Sequence, residues 1–326
     1  MGMTELTKYF KRDRNAEKEI LDKFSDILKK HFTREEIEQT LLENGFNGVY
    51  LLDEKQIETL NELLDEDEKN QLLDELSKLY GQYHTEQKVI IMHKDAYMSN
   101  KTIGIHEMGH AFLDSKNEAI IEVNGTKIRY GIGLEEGAVT SLMVTDDIAN
   151  ITNYTPDVYP EQTILFQQLN VLYGYSRLKK YPNLLIHMFK EPENFMVLIR
   201  EIYTDIYEQN YETMDIPVIT KSAFDIIVGA DTLINDNEQN EKLMKTMQGI
   251  NSVYLYMADE KIRCGKRKNA LFLPFRELQK TSEEILLETI FGDESSYMER
   301  ISNLLEDLVI GFQDTIEKSK TKTYTL

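Results

Sequence analysis

The stretch KTIGIHEMGHAFLDS, Lys101 to Ser115, carries two of the chain's six histidines four residues apart, with a glutamate directly after the first. Successive residues of an α-helix turn by about 100°, so His106 and His110 fall about 40° apart on one face and Glu107 about 60° beyond His110. Two neutral imidazoles so placed reach one ion from one rigid element, and the carboxylate borders that ion without having to ligate it. This is the layout a hydrolytic zinc site needs: two nitrogens hold the metal and a carboxylate takes the proton of the water it activates. Ile103 and Leu113 flank the histidine face, which directs that side inward. Two imidazoles and a carboxylate buried there without a metal would carry a large desolvation cost. Gly109 and Ala111 are small and let neighbouring backbone come close. The spacing therefore predicts a helix over about 100–114 that binds one zinc ion per chain through His106 and His110.

A third ligand must come from elsewhere. The metzincin pattern would place glycine and histidine where this chain has Leu113 and Lys116. The aspzincin pattern needs an aspartate that GTKIRYG lacks. A glutamate on a later helix remains, and GLEEGAVTSL supplies Glu135 and Glu136. On a helical wheel Leu134, Ala138 and Leu142 define an apolar arc that contains Glu135, with Glu136 on the opposite side, so burial alone favours Glu135.

HEMGH followed by LEEGAVTSL resembles the gluzincin metallopeptidases, whose third ligand is a glutamate commonly set in an N-E-G or E-E-G helix start. The resemblance covers roughly residues 88–148, well under half of the chain. It implies that His106 and His110 are ligands, that Glu107 is the general base and that Glu136, directly before Gly137, is the third ligand. Glu135 then becomes a neighbour of the metal or a contact for a substrate amine. The 25 residues from 111 to 135 leave room for the rest of one helix and a hairpin. Thermolysin-like members carry an aspartate four residues after the glutamate ligand, where this chain has Thr140, and many have asparagine before it, where this chain has Glu135. The resemblance is thus to the broader class.

The resemblance implies zinc-dependent hydrolysis of peptide bonds by an endopeptidase acting on a peptide or protein substrate, with Glu107 accepting the proton of zinc-activated water and passing it to the leaving amine. A ligating imidazole usually donates its other N–H to a supporting group, and Asp114 and Thr140 are the candidates. KVIIMH, residues 88–93, resembles the edge strand with which such enzymes pair an extended substrate. Tyr130, Tyr154, Tyr173 and His187 are candidates for stabilising the oxyanion. Two other readings compete: a non-catalytic binding or regulatory module on a zincin scaffold, and an aminopeptidase in which Glu135 reads the substrate amine. A purely structural metal site has no use for Glu107 as a base, which argues against the first.

The elements that must hold these residues are mostly helical. Ile20, Leu21, Phe24, Ile27 and Leu28 form one stripe of a helix over about 14–30. TREE, Thr33 to Glu36, is a capping box opening a helix through Leu42. NGFNGVYLL offers a turn and a strand, and residues 53–81 read as two acidic helices ending at Gly81. KVIIMH is β-rich, and AIIEVNGTKIRYG is a hairpin turning at Asn124-Gly125. A helix follows over about 134–148, and Tyr159-Pro160-Glu161 opens another with proline in its first turn. Tyr297, Ile301, Leu304, Leu305, Leu308, Phe312 and Ile316 give the clearest amphipathic helix, read as core packing. The expectation is an α+β, mostly helical fold: a helical N-terminal region over 1–82, a zincin-like core with a small sheet over 83–230, and a helical C-terminal region over 231–326.

Composition narrows the partners. A net charge of −20 over 326 residues argues against nucleic acid and anionic membranes. No apolar run approaches the length of about 18 residues that spans a bilayer. The N-terminal residues lack the apolar core of a signal peptide, and a single cysteine, Cys264, excludes an internal disulfide, so a cytoplasmic location is expected. Cys264 lies in KIRCGKRK, a basic island read as a solvated loop.

Overall fold

The structure is a computed structural model that describes residues 10–63, 80–114, 116, 119–123, 126–142, 159–210 and 251. The described residues are mostly helical, with a three-stranded and a two-stranded sheet. Two compact units divide the chain. One comprises Met1–Asn117, Ala138–Pro160 and Met188–Pro192, the other Glu118–Gly137, Glu161–His187 and Glu193–Leu326.

In the first unit α1 (Arg14–Leu28) begins where Asp13 accepts the backbone N–H groups of Asn15 and Ala16, and it buries Ala16, Ile20, Phe24 and Leu28 at every fourth position. The capping box at Thr33 forms as the sequence predicts and opens α2 (Arg34–Glu43). Next come β1 (Gly48–Leu52), α3 (Glu54–Leu63), β2 (Gly81–His84), β3 (Val89–His93), α4 (Lys94–Ser99) and the histidine helix α5 (Thr102–Leu113).

The sheet order is β1-β3-β2, with β1 parallel and β2 antiparallel to β3. KVIIMH is therefore the central strand of the three and not an edge. Its residues are buried on both faces: Val89 and Ile91 join Phe10, Tyr50 and Leu52 on one, while Met92 lies beside Gly81 toward α5 on the other. A strand covered on both faces reads as a continuous apolar run, and VIIM is such a run. The edge beside it is β2, whose residues alternate between buried and half-buried. Gly81, expected to close a helix, is the first residue of that strand.

α5 is held at both ends. Asn100 accepts the N–H and the hydroxyl of Thr102 at its start, at 3.1 and 2.6 Å. At its end the buried Asn44 side chain donates to the carbonyls of Ala111 and Phe112, at 3.0 and 2.8 Å, closing two of the four carbonyls a helix leaves open. Asp114 follows in the left-handed conformation and accepts from the Tyr83 hydroxyl at 2.9 Å and from Lys88 at 2.5 Å. Phe112 packs in a cluster with Phe24, Phe32 and Phe189.

The second unit contains the hairpin β4 (Ala119–Val123) and β5 (Thr126–Tyr130), in which Val123 pairs with Thr126 across a two-residue connection. Helix α6 (Ile132–Ser141) begins there, and α7 (Pro160–Tyr175) has proline in its first position as predicted. α8 (Leu184–Lys190) and α9 (Phe195–Asn210) follow, with a single 3-10 turn over Pro192–Asn194 between them. The continuation of α6 to 148, the second acidic helix before Gly81, the KIRCGKRK island and the amphipathic helix from Tyr297 to Ile316 lie outside the described residues.

Asp205 of α9, 6% exposed, ties α9 to the end of α7. It accepts from the Ser176 hydroxyl, the Arg177 backbone N–H, the Arg177 guanidinium and Gln209. Burial pushes its pKa up, but these donors outweigh burial and leave it below the ordinary aspartate value. Asp205→Asn should lower stability by about 2–4 kcal/mol at neutral pH. Because the folded-state pKa lies below the unfolded value of about 3.9, this contribution is present above about pH 4 and drains away as the pH falls through the folded-state value. Urea titrations of both proteins across pH 2–7 check both statements. Asn44→Ala, which reopens two carbonyls of the histidine helix, should cost about 1–3 kcal/mol in the same assay.

Candidate metal centre

α5 is buried on nearly every side. His106 is 9% exposed and Glu107 6%, His110 is half-buried, and Leu113 and Ile105 are both in the core. The inward direction expected from Ile103 and Leu113 is what the helix adopts. Two small residues let it seat so deeply. A Cβ at Gly104 would collide with Ile20 of α1, and a Cβ at Gly109 would come within 2.7 Å of Val139 of α6. The neighbour that Gly109 admits is thus a valine side chain and not backbone.

The Nε2 atoms of His106 and His110 lie 3.2 Å apart, with their rings edge to face. Two nitrogens bound at about 2.0–2.1 Å on a tetrahedral zinc ion sit about 3.3 Å from each other, so the pair already has the separation that such an ion requires. The same separation also serves a hydrogen bond from one neutral imidazole to the other. Ligand atoms of His106, His110 and Glu136 all come within 4.8 Å of one another. Glu136 stands one helical turn before Thr140 on α6, hence on the same side of that helix. The Thr140 hydroxyl is completely buried and lies 3.4 Å from Nδ1 of His106.

Glu135 is 4% exposed whereas Glu136 is half-buried, as the helical wheel anticipates, and the group that could hold a metal ion contains Glu136 and not Glu135. Gly137, the glycine of the E-E-G run, has a packing reason of its own. A Cβ there would collide with the backbone carbonyl of Gln162 in α7.

The supporting groups sort themselves. Asp114 spends its carboxylate on Tyr83 and Lys88, at the C-terminus of α5, and reaches neither histidine. Thr140 is the group beside His106. Tyr173 is withdrawn from oxyanion stabilisation by three hydrogen bonds. Its buried hydroxyl accepts from the backbone N–H groups of Lys180 and Tyr181 at 2.7 and 2.8 Å and donates to Nδ1 of His187 at 3.0 Å. Tyr173 and His187 thereby pin the turn after α7. Tyr130 occupies the last position of β5, and Tyr154 lies outside the described residues.

Two neighbours are not legible as site residues in the sequence. The Tyr159 ring lies parallel to that of His106, at 8° and 6.0 Å between centroids, from a residue with φ of 51°. Its only sequence signal is its place before Pro160. Gly81 of β2 lies against the histidine helix so closely that a Cβ would come within 3.3 Å of Cγ of Glu107. Its signal is a glycine inside a short strand, a mark of close approach.

Comparisons with protein-family models, curated proteins and solved structures give no match for this chain. The chemistry therefore rests on the residues themselves.

If the geometry is that of a metal centre, His106→Ala and His110→Ala each abolish stoichiometric zinc in the purified protein. Glu136→Gln should weaken zinc by more than the factor of about 10–100 that a supporting group commands. Glu135→Gln should stay within that factor. Competition with a chromophoric chelator measures all four, and a larger loss in Glu135→Gln than in Glu136→Gln would move the third ligand to Glu135.

Proposed function

We propose that the chain is a zinc metallopeptidase of the gluzincin type, on a zincin-like core, that cleaves peptide bonds as an endopeptidase. The observation that carries the reading is the pair of imidazoles on α5, His106 buried and His110 half-buried, their Nε2 atoms 3.2 Å apart, with Glu107 directly after His106 and itself 6% exposed. His106, His110 and Glu136 are the three residues that would hold the metal. When bound, zinc would supply a positive charge that polarises the scissile carbonyl and acidifies water. Two neutral nitrogens and one carboxylate suit a borderline-soft divalent ion and leave a position open to substrate, which a structural four-ligand site does not.

The remaining steps belong to side chains. Glu107 neighbours the histidine face of the same helix without being needed as a ligand, so its carboxylate serves as the proton acceptor and then returns the proton to the departing amine. Its burial shields that transfer from bulk solvent. The extended substrate would pair with β2, the strand that borders α5 and whose outer side meets no other strand among the described residues. This transfers to β2 the role that the sequence suggested for KVIIMH. Gly81 leaves β2 without a side chain where it passes Glu107. Backbone hydrogen bonding along a strand edge aligns a peptide independently of its sequence.

The burial of Glu135 weighs against the aminopeptidase reading, since a substrate amine needs an accessible carboxylate. Glu107 weighs against a purely structural centre. Among the described residues no helix is long and apolar enough to cross a membrane. The single cysteine and acidic surface fit a cytoplasmic enzyme acting on peptides or proteins, with neither nucleic acid nor membrane as partner.

Glu107→Gln should retain zinc at wild-type affinity while hydrolysis of a mixed peptide library falls by about 10²- to 10⁴-fold. Equal turnover by the two proteins would remove Glu107 as the base. Cleavage confined to peptides with free N-termini, and absent from acetylated ones, would replace the endopeptidase with an aminopeptidase.

A further inference from the structure

Tyr80 directly precedes β2, its backbone sits at φ of 61°, and it is 50% exposed. Left-handed backbone suits glycine, asparagine and aspartate, and a bulky aromatic residue there is strained. Such strain persists where something else requires the side chain, and it clusters at functional sites. Interior packing does not supply the reason, because Tyr83, Tyr97 and Tyr173 are buried whereas Tyr80 is not. In regular extended backbone the side chain at 80 would share the face of Gln82, and the left-handed turn takes it out of that alternation.

The place of Tyr80 in the fold supplies a reason. Its carbonyl accepts the backbone N–H of His93 at 2.9 Å, which ties the residue to the end of β3. Gly81 follows, and a Cβ there would lie 3.3 Å from Cγ of Glu107 and 2.7 Å from Cγ2 of Ile103. Consecutive Cα atoms are about 3.8 Å apart. Tyr80 therefore stands one residue from the strand's closest approach to the carboxylate read above as the general base. It also opens the strand read above as the substrate's partner.

Charge indicates which side chains suit a ring in that place. The chain carries a net charge of −20, and residues 61–79, which lead into Tyr80, hold seven acidic side chains and two basic ones. Glu86, in the turn between β2 and β3, is exposed. A field of this sign draws cationic ligands in and turns anionic ones away. The face of a tyrosine attracts the head of arginine or lysine, and its apolar body covers their aliphatic stems.

We infer that Tyr80 is a specificity-determining residue that selects peptides with arginine or lysine beside the scissile bond, the long cationic side chain lying along its ring. A peptide paired with β2 passes Tyr80 where its scissile bond meets Glu107, so the residue flanking that bond meets the ring. The inference rests on the endopeptidase reading and on β2 as the strand that pairs with substrate, and it adds the substrate class.

Digestion of a blocked peptide library by zinc-loaded protein, with the product ends sequenced, reads the preference directly. Wild type should give ends enriched in arginine and lysine. In Tyr80→Gly the ratio of kcat/KM for an arginine peptide to that for its norleucine counterpart should fall about 3- to 30-fold. Tyr80→Phe should keep the ratio. The urea midpoint of Tyr80→Gly should equal or exceed that of wild type, because glycine relaxes a left-handed backbone. Product ends without basic enrichment, or an undiminished ratio in Tyr80→Gly, would overturn the inference. So would a lower midpoint in that variant, which would assign the ring to the fold. Loss of hydrolysis of every peptide alike in Tyr80→Phe would overturn it too, by making the hydroxyl the working group. If wild type cleaves nothing, fluorescence anisotropy of a labelled, blocked arginine peptide decides. Binding weakened by the same factor in Tyr80→Gly keeps the inference and removes the hydrolysis, whereas equal binding or none overturns both.

Discussion

Everything at this centre depends on one constraint: the histidine helix is buried on nearly all sides while carrying two imidazoles and a carboxylate. An ordinary core helix avoids such residues, because each polar group taken out of water costs roughly 1–3 kcal/mol unless it is bonded. α5 meets this cost with specific neighbours. His106 faces Thr140 on one side and His110 on the other, and the end of the helix is closed by Asn44 and Asp114. Burial fixes the imidazoles in place, and fixed imidazoles at 3.2 Å are what a single ion needs.

The depth of burial is itself a consequence of small residues. Gly104 admits Ile20, Gly109 admits Val139, and Gly81 admits the body of Glu107. Any of these positions with a larger side chain would push a neighbouring element away from the histidines. Gly137 does the same for α6 and α7. The glycine that makes the E-E-G run look like a family signature is thus also a steric requirement of helix packing.

Much of this is legible in the sequence, and the failures have physical causes. The four-residue spacing of His106 and His110, the capping box at Thr33 and the proline at the start of α7 are local rules, and each holds. The resemblance of KVIIMH to a substrate-pairing edge strand does not hold for β3, and the physical reason is in the sequence: an unbroken apolar run signals a strand covered on both faces. Asp114 stands one turn after His110 in the sequence, but a left-handed helix cap turns it toward Tyr83 and Lys88. Tyr173 is spoken for by a turn only a few residues on, and Tyr159 meets His106 across more than fifty residues of chain. Contacts of that range leave no periodicity behind.

The claim at the centre is that one metal ion is held by two imidazoles and one carboxylate of this chain. X-ray absorption of the zinc-loaded protein tests it most directly. The account predicts scattering from nitrogen and oxygen alone at about 2.0–2.2 Å, with the outer-shell pattern of two imidazoles. A sulfur shell at about 2.3 Å, which only cysteine or methionine could supply, or a fit requiring no imidazole, would contradict it.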